Sequence, residues 1–302
     1  MSSQGNRILI TGGSGLIGSR LTEMLLEKGY TVSYLGRKKN PDIKAFTYLW
    51  DPLKKTIDES ALINADHIIH LAGESIAAHR WTKTNKKIII ESRTLSSQLL
   101  REKINSFANI KSVICASGIG IYKDQHDTWV REASEQSNSF PAVTCKLWEE
   151  ANSHYTCRSV ILRTGIVLSE KGGALPELIK TKNIGILPYF GNGKFYQSWI
   201  HIDDLCKMYI YAIENENLKG IYNAVSQNPV TNLELTKALR RALNKFLILF
   251  PVPKILLKII LGQKSIIVTE GQRVSPEKIV KEGFQFSYPV IDKALNNIFN
   301  NE

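Results

Sequence analysis

The residues best suited to chemistry sit near the start of this 302-residue chain, in the segment TGGSGLIG at 11–18. Its glycines fit two registers, Gly13-x-Gly15-x-x-Gly18 and Gly12-x-x-Gly15-x-x-Gly18. In either, one glycine permits a tight turn, one lets backbone approach a pyrophosphate, and one lets a helix pack closely on a strand. The segment lies between an apolar run, 7–11, and an amphipathic stretch, 16–28, the context in which such a turn binds a dinucleotide on a helix N-terminus. Gly12, Ser14, Gly15, Leu16, Ile17 and Gly18 are therefore expected to cradle phosphates. An acid at the end of the next strand would bind a ribose 2′-hydroxyl. Here that position reads Gly36-Arg37-Lys38-Lys39. A carboxylate would repel a 2′-phosphate, whereas Arg37 offers paired donors to one. The expectation is NADP(H) over NAD(H), with Arg37 and Lys38 as the contacts and Lys39 an ordinary loop charge.

Other chemical groupings are weaker. His201, Asp203 and Asp204 fall within four residues, but two acids before an apolar helix read first as N-cap residues, and His201 as a backbone hydrogen-bonding partner. The GxSxG spacing of a serine hydrolase is absent around Ser14 and Ser117. A phosphate-binding loop of the Lys-Ser/Thr type is excluded after Gly18. Cys115, Cys145, Cys157 and Cys206 are widely spaced and form no CxxC pair, so neither zinc nor a disulfide framework is expected, and lone buried thiols are.

Repeated units must position these groups. Strands are expected at 7–11, 31–35, 45–49, 67–71, 110–116 and 159–162, with helices at 16–28, about 83–103 and about 141–154. Gly29 sits where a helix C-terminus wants glycine. Strand and helix alternation predicts an α/β fold: a Rossmann-type doubly wound parallel sheet with helices on both faces and a smaller C-terminal α+β substrate cap. The boundaries expected are 1–165 for the nucleotide domain, with later strands returning to it near 195–225, and 166–302 for the interleaved cap region. Beyond 165 the pattern suggests a short strand around 221–225 and helices near 231–243, 253–261, 275–282 and 289–299.

Composition narrows the class. The chain is 43% hydrophobic and 22% charged, which is globular, and long enough to bury a large core without disulfides or metal. A net charge of +11 favours anionic ligands, but Lys38-Lys39, Lys54-Lys55, Lys86-Lys87 and Arg240-Arg241 are scattered, and no helix-turn-helix or RNA-binding motif points to nucleic acid. No export signal is visible, so a cytoplasmic location is expected. The greasiest stretch, 246–261, is broken by Pro251, Pro253, Lys254 and Lys258 and is too short for a bilayer span. It reads as a buried strand, a proline turn and a short helix, with membrane-surface attachment a minor alternative and no membrane partner expected.

With these residues in view, the sequence resembles the extended short-chain dehydrogenase/reductase superfamily, and within it the atypical SDR39U1-like or YfcH-like epimerase family with an appended C-terminal domain of unknown function, here about 247–296. The segments that carry the resemblance are TGGSGLIG at 11–18, Trp50-Asp51-Pro52, HLAGESI at 70–76, Arg80-Trp81, Ser92-Arg93, RTGIVL at 163–168, SWIHIDDL at 198–205 and GQRV at 271–274. The resemblance implies that Gly36 and Arg37 form the NADP-binding pair, that Leu71, Ala72 and Gly73 line the adenine-ribose side, and that Arg93 and Arg163 reach the cofactor. A salt bridge closing the sheet edge is the competing role for Arg163.

The superfamily's proton-transfer pair is a Tyr and a Lys four residues on, sharing a helix face. On the expected helix, Lys146 is present but Ala142 stands where the Tyr belongs. Aligned on Tyr122, the usual hydroxyl falls at Gly118 rather than Ser117. Ser117, Tyr122 and Lys146 remain as catalytic candidates, with Ser117 and Lys146 also candidate cofactor contacts. The function expected is an NADP(H)-dependent oxidoreductase or epimerase-like enzyme acting on a small-molecule carbonyl or hydroxyl, with nucleotide-sugar chemistry resting on the family label alone. Its substrate is expected between Tyr122, Trp81, the 189–199 segment and the cap. The alternative is a non-catalytic NADP(H)-binding redox sensor. A homodimer is compatible with either.

Overall fold

The computed structural model describes residues 6–39 and 45–300. Its main sheet has eight strands, in the spatial order Gly220–Ala224, Arg158–Thr164, Ser112–Gly118, His67–His70, Arg7–Thr11, Thr31–Gly36, Phe46–Asp51 and Thr56–Ile57. All neighbours pair in parallel except the last, a two-residue antiparallel strand. Parallel strands need crossover helices, and these cover both faces. Alternation within strands feeds both cores. Ile8 and Ile10 face the core beneath helices Leu16–Glu27 and Ile202–Glu214, while Leu9 faces the core beneath the long helix Lys83–Ile104. Ile69 and Ile68, and Ile114 and Val113, divide the same way.

The chain leaves Arg7–Thr11 towards Thr31–Gly36 on one side, and the later strand His67–His70 lies on the other. That reversal opens a crevice at the carboxyl ends of the strands, where such sheets bind ligands. The crevice floor is fixed by one threonine. The Thr11 hydroxyl accepts from the amides of Leu71 and Ala72, at 3.2 and 3.1 Å. Its own proton must therefore go to His70 Nδ1, 2.7 Å away. This leaves the hydrogen on Nε2, which donates to Ser97 on the long helix at 2.9 Å. His70 is fully buried, and burial holds its pKa down to about 3, so it is neutral.

The opposite end of the sheet is fixed by a buried cation. Arg163 is 2% exposed and forms a two-point ion pair with Glu149, with both N–O distances 2.8 Å. Its remaining nitrogen donates to the Tyr122 hydroxyl and the Glu132 carbonyl, both at 2.9 Å. Tyr122 in turn donates to Asn223 Oδ1 at 2.6 Å, and Asn223 Nδ2 donates to the Ser275 carbonyl. Five separate segments, including the C-terminal one, meet in this network.

Of the segment expected to return to the sheet near 195–225, Gly220–Ala224 joins it, while Trp199–His201 pairs with Ile166–Leu168 instead. A third core gathers Leu187, Trp199, Leu239, Leu247, Ile291 and Leu295. The last residues also return to the nucleotide domain: Ile279 and Phe284 pack in the main-sheet core. Asp204 accepts from the amides of Ser287 and Tyr288, both at 2.8 Å. The N-cap of Ile202–Glu214 is His201, whose Nδ1 accepts from the Asp203 amide at 3.1 Å, rather than either aspartate. Asp203 instead forms an ion pair with Arg20.

Residues 246–261 do form a strand, Ile248–Val252, and a helix, Lys254–Leu261, but the expected burial is wrong. The strand pairs on one side only, with Ile186–Phe190, and Leu257 alone anchors the helix. Cys115, Cys145 and Cys206 are buried free thiols, whereas Cys157 is half-buried. No helix of the described residues is long and apolar enough to cross a membrane.

Arg163→Met strands a buried carboxylate, so denaturant unfolding should show a loss of about 3–5 kcal/mol, and Glu149→Gln on top of it should recover part. Equal loss in the single and double variants would remove the ion pair as the cause. For His70, the unfolded chain takes up a proton that the folded one refuses once the pH is below about 6.5. Stability is thus full above that pH and declines towards about 3. His70→Gln should flatten that decline without abolishing it, because His67 and His201, each held near 4 by burial, keep their share.

Candidate nucleotide site and adjoining cavity

The glycine turn lies at the mouth of the crevice. Gly15 is the N-cap of Leu16–Glu27, and no side chain caps that helix end. Its first amides face outward with the positive end of the helix dipole, as an anion requires. The turn is closed by the Gly15 amide donating to the Gly12 carbonyl at 3.0 Å, with Gly12 at φ 72°. A Cβ on Gly18 would stand 2.5 Å from that same carbonyl oxygen, so only glycine lets the helix start this close to the turn.

The other expected nucleotide contacts converge on the same edge. Gly36 ends the second strand, with Arg37 and Lys38 exposed just beyond it. Neither cation has an ion-pair partner among the described residues. Leu71 and Ala72 are held through their amides by the Thr11 hydroxyl. Gly73 lies against the Arg93 side chain, which would sit 3.2 Å from any added Cβ. The pair Ser92-Arg93 clamps the next residue: Ser92 Oγ accepts from the Glu74 amide at 2.9 Å, and Arg93 Nη1 donates to the Glu74 carbonyl at 2.8 Å.

Past this groove the crevice continues into a cavity of about 350 Å³. Its floor is Ser117, Gly118, Thr164 and Gly165 at the ends of two central strands, and its far wall is 270–272 from the C-terminal region. Arg93 enters from the groove side and lies over the Trp148 ring, 4.9 Å from its centre. Arg93 has no carboxylate ion-pair partner among the described residues, and desolvation lowers its pKa. A half-buried cation whose acceptors among the described residues are two backbone carbonyls keeps donors in reserve for an anionic or carbonyl-bearing ligand.

Several candidates fall elsewhere. Arg163 does not reach the groove: every nitrogen is committed to the buried network, so the sheet-edge salt bridge is its role. Tyr122 touches the cavity, but its hydroxyl is spent between Arg163 and Asn223, and burial pushes its pKa up to about 12. Ser117 reaches the cavity, and its hydroxyl donates to Glu149 at 2.6 Å. Lys146 is not on the cavity wall. It reaches Asn138 at 3.4 Å. Helix Phe140–Ala151 turns Pro141, Thr144, Cys145 and Trp148 to the cavity and buries Ala142 completely. One position rotates a helix face by about 100°, so the i, i+4 pairs on this wall are Pro141 with Cys145 and Thr144 with Trp148, not 142 and 146. The Cys145 thiol, raised to about 11 by burial, stays protonated. Trp81 lies outside the wall and supports it, donating to the Ile76 carbonyl at 2.9 Å and packing edge-on against Phe140.

Glu270 gave no signal in the sequence. It is the one carboxylate lining the cavity among the described residues. Burial and nearby Asp124 raise its pKa, opposed by Lys254. Glu270 is exposed at the cavity edge, and the backbone that follows it is held in place. A Cβ on the adjacent Gly271 would stand 1.9 Å from the Tyr196 carbonyl oxygen, so the segment touches that strand backbone. Ser198 clamps the next three residues, donating to the Gln272 carbonyl at 2.7 Å and accepting from the Val274 amide at 2.9 Å. The GQRV segment thus serves to hold the preceding carboxylate at the cavity.

Comparison with known proteins agrees with this architecture. Residues 8–224 match the model of the NAD dependent epimerase/dehydratase family, and residues 252–298 match a domain of unknown function, DUF1731. Epimerase family protein YfhF of Bacillus subtilis is 33% identical, with the alignment covering 96% of this chain and 97% of that one. The crystal structure of human epimerase family protein SDR39U1 with NADPH superposes with a TM-score of 0.89 at 29% identity, covering 98% of this chain and 100% of that one. UDP-glucose 4-epimerase of Thermus thermophilus, in complex with NAD, shares the fold at a TM-score of 0.78 and 19% identity, over 97% and 98% of the two chains. With the glycine turn at the switch point and the C-terminal segment closing the cavity, the chain belongs to the NAD dependent epimerase/dehydratase family, in the branch that carries the DUF1731 domain.

Proposed function

We propose that this chain binds NADP(H) in the groove and uses the adjoining cavity for oxidoreductase or epimerase-like chemistry on a small carbonyl or hydroxyl compound. The observation that carries the reading is the run from an uncapped helix N-terminus to two exposed cations, Arg37 and Lys38, which have no ion-pair partner among the described residues, with no acid at 36–39. That donor set suits a pyrophosphate and a 2′-phosphate together. The bound NADPH of human SDR39U1 supports the choice of cofactor. The bound nicotinamide supplies or accepts a hydride. Arg93 orients a substrate oxygen from its unspent donors, and Trp148 holds the guanidinium flat. Glu270, protonated more readily than an ordinary glutamate, gives or takes the proton that the absent Tyr would have moved. Ser117 and Cys145 shape the floor.

Calorimetric titration of NADPH and NADH checks the cofactor assignment. Arg37→Ala should weaken NADPH roughly tenfold to hundredfold, the worth of a charge-assisted paired contact, and leave NADH unchanged. If neither nucleotide binds wild type, the groove is not a cofactor site. In a screen of carbonyl compounds with NADPH, Glu270→Gln should abolish most turnover while NADPH binding persists. Nucleotide binding with no turnover of any compound would favour a redox-sensing module, and the missing Tyr is the feature that keeps that reading open.

A further inference from the structure

The helix Lys254–Leu261 exposes what a short helix normally hides. Ile255 is 76% and Ile259 74% exposed, and Leu256 and Ile260 are exposed beside them. At 100° per residue these four occupy one arc of about 140°, while Leu257 points into the protein and Lys254 and Lys258 flank the arc. The preceding residues continue the pattern: Phe246 is 94% exposed, and Ile248 and Phe250 are exposed on the outward side of the strand. Apolar surface this continuous in chain and this open marks a contact site.

Charge identifies what covers it. Residues 235–269 hold no Asp or Glu and seven basic residues, Lys237, Arg240, Arg241, Lys245, Lys254, Lys258 and Lys264. Lys245, Lys254 and Lys258 are exposed and have no ion-pair partner among the described residues. Lys254 lies near Glu270, which lines the cavity. A two-fold contact between two copies would set this helix against itself and bring Lys254 and Lys258 towards their own like charges. A surface that is fluid, apolar beneath and negatively charged above satisfies both features at once. We propose that the segment Phe246–Leu261 is a membrane-surface anchor for bilayers rich in anionic phospholipid, with Ile255, Leu256, Ile259 and Ile260 entering the acyl boundary and the lysines meeting phosphate. This revises the sequence-based expectation of no membrane partner, which rested on the strand being buried. The anchor stands directly before Ile266 and Ile267, which line the cavity, so a docked bilayer would lie against the flank of the site.

The test is flotation of the full chain with vesicles of phosphatidylcholine alone and of phosphatidylcholine mixed with phosphatidylglycerol. Wild type should float with the mixed vesicles, release as salt rises, and stay behind with the neutral ones. Ile255→Ser with Ile259→Ser should cut binding at least tenfold. Lys254→Glu with Lys258→Glu should cut it further than the roughly fivefold expected for each lysine lost at a charged surface. All four sites are exposed, and an unchanged melting temperature with unchanged NADPH affinity confirms that each variant is folded. Failure of wild type to float with either vesicle overturns the proposal. Equal flotation with both vesicles, untouched by the lysine variant, overturns its electrostatic half. A wild-type dimer in sedimentation that the isoleucine variant splits assigns the face to a second copy instead.

Discussion

The buried Arg163–Glu149 pair is the constraint on which the site depends. A guanidinium with almost no exposure must satisfy all its nitrogens inside the protein, and it does so by drawing in Glu149, Tyr122 and the Glu132 carbonyl. Tyr122 passes the constraint to Asn223 and so to Ser275. Ser117 is tied to the same carboxylate. The cavity floor, the helix wall and the C-terminal wall are therefore set relative to one another by one charge that has no route to water. Removing it costs far more than the pair itself contributes, because the orphaned carboxylate remains.

The site divides its labour between two ends. The groove end is built from backbone and is open: helix amides, a glycine turn, and a floor locked by Thr11 and neutral His70. It suits a large charged ligand, which needs many donors and little enclosure. The cavity end is built from side chains and is closed by the C-terminal region, with Arg93 and Glu270 its opposing charges. The family match to 252–298 thus covers a segment that is part of the cavity wall and also packs into the main-sheet core, at Ile279 and Phe284. A reaction confined there draws on groups that the nucleotide domain alone does not hold.

The exposed helix belongs to that same C-terminal region. Its apolar arc and its lysines suit the proposed boundary between water and something apolar and negative. The region would then link three things: the cavity wall, the sheet-edge network through Ser275, and a surface on which the molecule rests.

The sequence by itself determined the nucleotide half. The glycine spacing, the exposed Arg37-Lys38 pair at a strand end and the alternation of strand and helix are local signals, and each has a local physical cause: a turn that needs no Cβ, cations with no acid beside them in sequence, a side-chain period that sets the buried face. The absence of Tyr at 142 was equally plain. What only the tertiary structure decided were the contacts between distant segments. Arg163 and Tyr122 were site candidates through the family resemblance, and their burial in a shared network depends on Glu149 and Asn223, which no spacing rule connects to them. Lys146 was placed by register with an expected motif, but the phase of the helix is set by how Ala142 and Trp148 pack, and that phase turns Cys145 to the cavity instead. Glu270 had no pattern around it. It becomes a cavity group because Gly271 packs on the Tyr196 backbone and Ser198 grips Gln272, a residue 74 positions away in the sequence. Hydrophobicity at 246–261 announced burial, and the structure exposes it, since composition states what a segment prefers to touch and not whether the rest of the chain is there to be touched.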